Sequence, residues 1–283
     1  MRTLLICHED ATLDREGLAR WLGSFSTFTG TVTVREPRSR RRQRVEREVK
    51  RVGWWRFLDV LAFQLFYRLM LAAGDRDWER RAVARLRSLY PKRPDAPELV
   101  VPSPNDTEVQ AFIADRKPDL IIARCKTLLS ERIFAVPPLG TFVMHPGICP
   151  EYRNAHGCFW AMAMGDFRNV GMTLLRIDRG VDTGPVFGYF RVDPDPSESH
   201  VVTQHRAVLD HLDAVRDALI EIAAGRSSPV DTTGRPSAVW GQPWLTAAWH
   251  MRRRFAREVN TRNLELSNQK SEFRNLKSQA GPS

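Results

Sequence analysis

"GTFVMHPGICPEYRNAHGC" occupies Gly140–Cys158. It begins as an apolar run that ends on His145, and the chain then turns through Pro146, Gly147 and Pro150. A short apolar run stopped by a Pro/Gly turn is the pattern of a buried parallel strand at its carboxyl end. In open α/β sheets ligands bind at such ends, which makes His145 a candidate functional residue. His145, Cys149, His156 and Cys158 also have side chains of the kind that bind zinc. Their spacing, His-x3-Cys-x6-His-x-Cys, matches no common zinc motif, and no metal is expected. Cys149 and Cys158 read as packing residues. Asn154 reads as a turn residue, because Asn tolerates positive φ.

Outward from this stretch, strands and helices alternate. "KPDLIIARC" gives a turn and a buried strand at Asp119–Ala123, and Ser130–Phe134 starts a short helix. "GCFWAMAMGD" reads as a helix, and "VGMTLLRID" and "VFGYFRV" as strands joined by the Gly-rich turn "RGVDTGP". Upstream, strands are expected at Arg2–Cys7, Thr31–Val34 and Leu99–Val101, with helices at Asp14–Leu22 and Asp106–Arg116. One long helix is expected from Glu198 to Ala224, capped by Ser197 or Ser199 and ended by Gly225. The alternation predicts an α/β, Rossmann-like fold, with a mostly parallel sheet and helices on both faces. "CHEDATLDREG" follows the first strand, so the usual dinucleotide fingerprint is absent.

Charge divides the chain unevenly. The net charge of the 283 residues is +10. Arg35–Arg51 holds nine basic and three acidic residues, and Met251–Ser283 eight basic and three acidic. A near-neutral body thus carries two basic attachments, whose readings are solvated charge or contact with an anionic partner. No nucleic-acid motif accompanies them, and nucleic acid is set aside. The basic run leads into "WWRFLDVLAFQLFYRLML", Trp54–Leu71. Arg56, Asp59, Gln64 and Arg68 interrupt it, which argues against a spanning helix. Two readings stay open: membrane-surface contact, or packing over the domain or in a homodimer interface. The expected organisation is an α/β domain over 1–225 with a helical insertion at about 35–93. A basic C-terminal extension over 226–283 follows, mobile over its last two dozen residues. The four cysteines show no framework spacing and the first apolar run is too short for a signal peptide. A cytoplasmic setting is expected, with peripheral membrane contact an open reading.

Several motifs then fall in order: His145-Pro146, Pro150, Tyr152-Arg153, Gly171-Met172-Thr173 and Asp182-Thr183-Gly184. In this order and spacing, over about 80 residues, the chain resembles the formyltransferase family. That family includes glycinamide ribonucleotide, methionyl-tRNA and nucleotide-sugar formyltransferases. The resemblance implies formyl transfer from 10-formyl-tetrahydrofolate to an amine through a tetrahedral intermediate. It implies His145 as general acid and oxyanion donor, with Asp182 as its partner. It maps the folate side onto Thr127, Leu128 and Leu129, with the Gly180–Val181 turn closing the pocket. The family's Asn-x-His places its Asn on Val143, which has no side-chain donor. Thr141, Asn154, His156 or a water are the candidate replacements, and His205 is a further residue that could reach the site. The alternatives are altered or lost catalysis with retained ligand binding, or hydrolysis or another acyl or carbamoyl transfer. A sugar-linked amine, on a nucleotide or a lipid, is the preferred acceptor, because no large anticodon-stem-reading domain is evident.

Overall fold

The structure, a computed structural model, describes residues 1–258, apart from the side chains of residues 38–44 and 47. The sequence reading of Asn260–Ser283 lies outside the described residues. A seven-stranded sheet forms in the order β3-β2-β1-β4-β5-β6-β7. Its strands are β1 Arg2–His8, β2 Thr27–Val34, β3 Glu98–Val101, β4 Leu120–Arg124, β5 Thr141–His145, β6 Gly171–Arg176 and β7 Val186–Arg191. The first five strands pair in parallel. β6 runs antiparallel to both β5 and β7.

The near-continuous apolar strands follow from burial on both faces. In β1, Leu5 and Cys7 join one core, and Leu4 and Ile6 the other. One face is covered by α1 (Ala19–Phe25), α3 (Ala72–Leu89), α6 (Gly157–Met164), α7 (His200–Leu209) and α8 (Leu212–Ala223). The other face is covered by α4 (Thr107–Arg116) and the short α5 (Glu131–Phe134). Helix α2 spans Arg38–Met70 and is broken at Gly53, whose φ of +78° is open to glycine but strained for other residues.

Three expectations need correction. β2 begins at Thr27, four residues early, because its polar start still pairs with β1 and the Thr29 hydroxyl donates to the Thr3 carbonyl at 2.9 Å. A π-helical turn at Leu13–Leu18 precedes α1, so that helical segment extends to Phe25. The single long helix after Ser199 is two helices, since the chain turns at Asp210–His211, where the His211 N–H donates to the Val208 carbonyl. Apolar spacing continues across this turn, with Val208, Leu212, Val215 and Leu219 all buried, so the sequence carries no mark of it.

After α8 the chain returns to the body. Residues 245–258 are helical, and Ala247, Ala248 and Phe255 are buried. Just before that helix, Trp240 stacks on Trp160 with ring centroids 4.9 Å apart.

Candidate active site

Alternation along β5 fixes what reaches the site. Phe142 and Met144 point into the main core, while Thr141, Val143 and His145 share the other face. The loop after β5 is tight because two glycines meet. A Cβ on Gly147 would lie 2.4 Å from the Tyr152 carbonyl oxygen, and one on Gly157 would lie 2.5 Å from Gly147 Cα. The compact loop brings Asn154 back over the imidazole, with φ +78° at Asn154.

His145 is 3% exposed, and both of its ring nitrogens are engaged. Nδ1 faces the Gly147 carbonyl at 3.2 Å and the Cys149 sulfur at 3.4 Å. Nε2 faces the Asn154 carbonyl at 2.9 Å and Asp182 Oδ2 at 3.2 Å. An imidazolium, with a proton on each nitrogen, donates toward oxygen on both sides. Burial works against that charge, but the Cys149 sulfur and the Asp182 carboxylate outweigh it and hold the His145 pKa well above the ordinary imidazole range. Burial likewise works against the Asp182 charge. The His145 cation and the Asn154 N–H, which donates to Oδ2 at 2.7 Å, prevail and lower its pKa. The two directions agree on one species, a buried ion pair.

Neighbouring residues hold this pair. The Thr173 hydroxyl donates to the Gly147 carbonyl at 2.7 Å and accepts from the Cys149 N–H at 3.0 Å. The Thr of the Gly-Met-Thr run therefore fixes the peptide that Nδ1 faces. Arg124 pairs with Asp14 at 3.2 Å and donates to the Met144 carbonyl at 2.5 Å, tying the carboxyl end of β4 to β5. The Arg153 guanidinium donates to the Val181 carbonyl at 3.2 Å. From the C-terminal segment, the Trp240 carbonyl accepts from Asn154 Nδ2 at 2.6 Å and the Gly241 carbonyl accepts from Trp160 Nε1 at 2.9 Å. Arg124, Thr173, Trp240 and the Gly147 and Asn154 carbonyls were not among the expected site residues. Backbone carbonyls carry no side-chain signal, and Trp240 is far away in sequence.

A cleft of about 90 Å³ opens beside the pair. Thr127, Leu128, Leu129, Gly180, Asp182 and Val143 line it, with Ala123, Leu175 and Ile177 as apolar walls. Val181 is not on its wall; its carbonyl accepts from Arg153. His145 is not on the wall either, but its partner Asp182 is. The lining fits a flat heterocycle in kind, with apolar walls and carboxylate and backbone edges. Its volume falls short of the 300–1,000 Å³ of drug-sized sites, so a ligand of that size must widen it.

None of the protein groups considered as a replacement donor stands at Val143. The Thr141 hydroxyl donates to the Phe134 carbonyl at 3.0 Å. The Asn154 amide is spent on Trp240. His156 lies against His200, ring centroids 6.1 Å apart, and burial and the nearby Lys126 push its pKa down to about 4. His205 is stacked on Trp78 at 6.0 Å, and burial lowers its pKa. The four residues of zinc-binding type also separate: Cys149 touches His145, whereas the Cys158 thiol donates to the Gly171 carbonyl at 3.1 Å. Among the described residues no group of three or more His, Cys, Asp or Glu is arranged to hold a metal.

The comparisons with known proteins bear on the domain that carries this sheet and the His145–Asp182 pair. Residues 90–211 match the family model described as formyl transferase. Methionyl-tRNA formyltransferase from Kosmotoga olearia is 35% identical over 85 residues, which cover 30% of this chain and 27% of that protein. Phosphoribosylglycinamide formyltransferase from Anaplasma phagocytophilum superposes with a TM-score of 0.54 at 14% identity, covering 86% of this chain and 99% of that one. A sugar N-formyltransferase from a Shewanella species superposes with a TM-score of 0.50 at 13% identity, covering 85% and 76%. Residues 90–211 of the chain therefore form a formyltransferase domain. The matched stretch spans about a quarter of the length of the Kosmotoga relative.

Proposed function

We propose that the protein transfers a formyl group from 10-formyl-tetrahydrofolate to the amine of a small acceptor, with an amino sugar on a nucleotide or lipid as the preferred class. The observation that carries this reading is the buried His145–Asp182 pair beside a cleft lined by Thr127, Leu128, Leu129 and Gly180. When bound, the folate supplies an activated formyl carbon. The chain's own residues would do the rest. The apolar walls at Ala123, Leu175 and Ile177 exclude water, and the cleft-facing edges of Leu128, Gly180 and Asp182 orient the heterocycle. Asp182 stores charge next to the reaction centre, and the His145 Nε2 proton is the one available to pass onward when Asp182 or Asn154 releases it. A reducing, cytoplasmic setting belongs to the same proposal, since Cys7, Cys125, Cys149 and Cys158 are all free.

Val143 favours a second reading. It lines the cleft where the family places a donor, and losing one such donor costs about 100- to 1,000-fold in rate. On that reading the site binds a folate-like ligand but performs slowed or different acyl chemistry. The test joins a thermal shift with a folate analogue to a mass-spectrometric screen of amino-sugar acceptors with 10-formyl-tetrahydrofolate. Formylated product supports the first reading. Binding without product supports the second, and no binding removes both.

A further inference from the structure

Beyond Gly53, helix α2 is apolar on two sides. Phe57, Val60 and Phe63 are buried in the body, and Phe63 packs on Phe159 with ring centroids 5.5 Å apart. Two of its charged residues also contact the body. The Arg56 guanidinium lies 4.5 Å over the Trp244 ring, and Asp59 accepts from the Thr246 N–H at 3.1 Å. The opposite side is left to apolar residues in solvent. Trp54 is 71% exposed, Trp55 87%, Leu58 52%, Leu65 58% and Leu69 70%, with Leu61 between them. At about 100° per residue these six fall within roughly 60° of Leu58, and no charged residue from Trp54 to Leu69 shares the arc. The stripe is about 22 Å long at about 1.5 Å per residue.

The charge beside this stripe says what covers it. Arg35–Arg51, with nine basic and three acidic residues, runs directly into it, and Arg68 flanks its far end in solvent. A second copy seated on the stripe would bring two such basic runs together. An anionic headgroup layer complements them, and tryptophans at the edge of an apolar stripe suit the boundary between headgroups and acyl chains. The helix lies flat on the body through Phe57, Val60 and Phe63. Among the described residues no single helix is long and apolar enough to cross a membrane.

We propose that the Trp54–Leu69 face of α2 docks this protein on an anionic phospholipid bilayer, lying in the headgroup plane. The docking is independent of which acceptor is formylated. The test uses the full chain and vesicles of phosphatidylcholine with or without phosphatidylglycerol, read by co-sedimentation. The protein is expected to sediment with the phosphatidylglycerol vesicles and to be released as salt is raised. The double variant Leu58→Glu with Leu65→Glu is expected to lose more than about tenfold in binding, with its melting temperature held, because both side chains are in solvent. Trp54→Ser with Trp55→Ser serves as a second variant with the same expected loss. Failure of the unmodified protein to sediment with phosphatidylglycerol vesicles overturns the proposal, and so does equal sedimentation of both double variants. A dimer that Leu58→Glu with Leu65→Glu splits into monomers while vesicle binding persists also overturns it, in favour of a second copy.

Discussion

The end of β5 and the outer face of α2 are built on opposite rules. At the end of β5 a charged pair is buried, and protein oxygens and a sulfur surround it. On the outer face of α2 large apolar side chains face water, while Phe57, Val60 and Phe63 pack on the body. Burying a charge is costly unless every partner is in place, so the first region depends on its surroundings down to single peptides. Exposing an apolar stripe costs the fold little and leaves an attractive surface. The first region lies inside the matched residues 90–211 and the second lies outside them. On the proposals above, the shared domain supplies the chemistry and the added helix supplies the location.

The two regions respond most differently to a change at His145. His145→Ala should reduce formyl transfer about 1,000-fold, measured as product per time at saturating acceptor. Unchanged turnover would move the chemistry elsewhere. Next comes Gly147→Ala. Its Cβ meets a backbone oxygen that cannot swing away, so stability should fall by about 3 kcal/mol, read by denaturant unfolding. Leu58→Glu on the outer face of α2 should stay within about 0.5 kcal/mol of the parent. Val143→Asn should raise formyl transfer by about tenfold or more if the site lacks only that donor, and lower it if the cleft serves other chemistry.

A smaller effect sharpens the electrostatics. The His145 pKa is raised on folding, so its contribution is full below the ordinary imidazole value and is lost as pH climbs through the folded one. The Asp182 pKa is lowered, so its contribution is full above the ordinary carboxylate value and is lost as pH falls through the folded one. The stability gap between the parent and Asp182→Asn should therefore be widest between about pH 4 and pH 6.5 and narrow on the alkaline side. A gap that grows above neutral pH would contradict the ion pair. Smallest of all, Leu58→Glu with Leu65→Glu should leave turnover of a water-soluble acceptor unchanged while vesicle binding is lost.

Much of the β5 region is visible in the sequence. Strand, turn, His145 and the Asp182 loop each have local signals: an apolar run, Pro and Gly punctuation, and a Gly-flanked Asp. The way they are held is not visible. Two of the four groups facing the imidazole are main-chain carbonyls, and Asn154 is fixed by Trp240, 86 residues away. Cys149 reads as a packing residue, and it does pack, but its sulfur also touches Nδ1. The α2 region is the reverse. Composition marks it as unusual, yet the sequence cannot say which apolar side the body takes. Only the burial of Phe57, Val60 and Phe63 decides that. The turn at Asp210–His211 was hidden for a similar reason, since one apolar period serves both helices.

The return of the chain at residues 238–241 has a consequence for how the protein is made. Ala238 and Trp240 bond the backbone of Pro150 and Arg153, and Trp240 and Gly241 take the Asn154 and Trp160 side chains. A ribosome delivers the strands of the sheet before this clamp. Until residue 241 has emerged, the loop bearing Asn154 lacks the partners that hold it over His145. Just before that point the nascent chain holds all seven strands of the sheet, while the loop bearing Asn154 still lacks these partners.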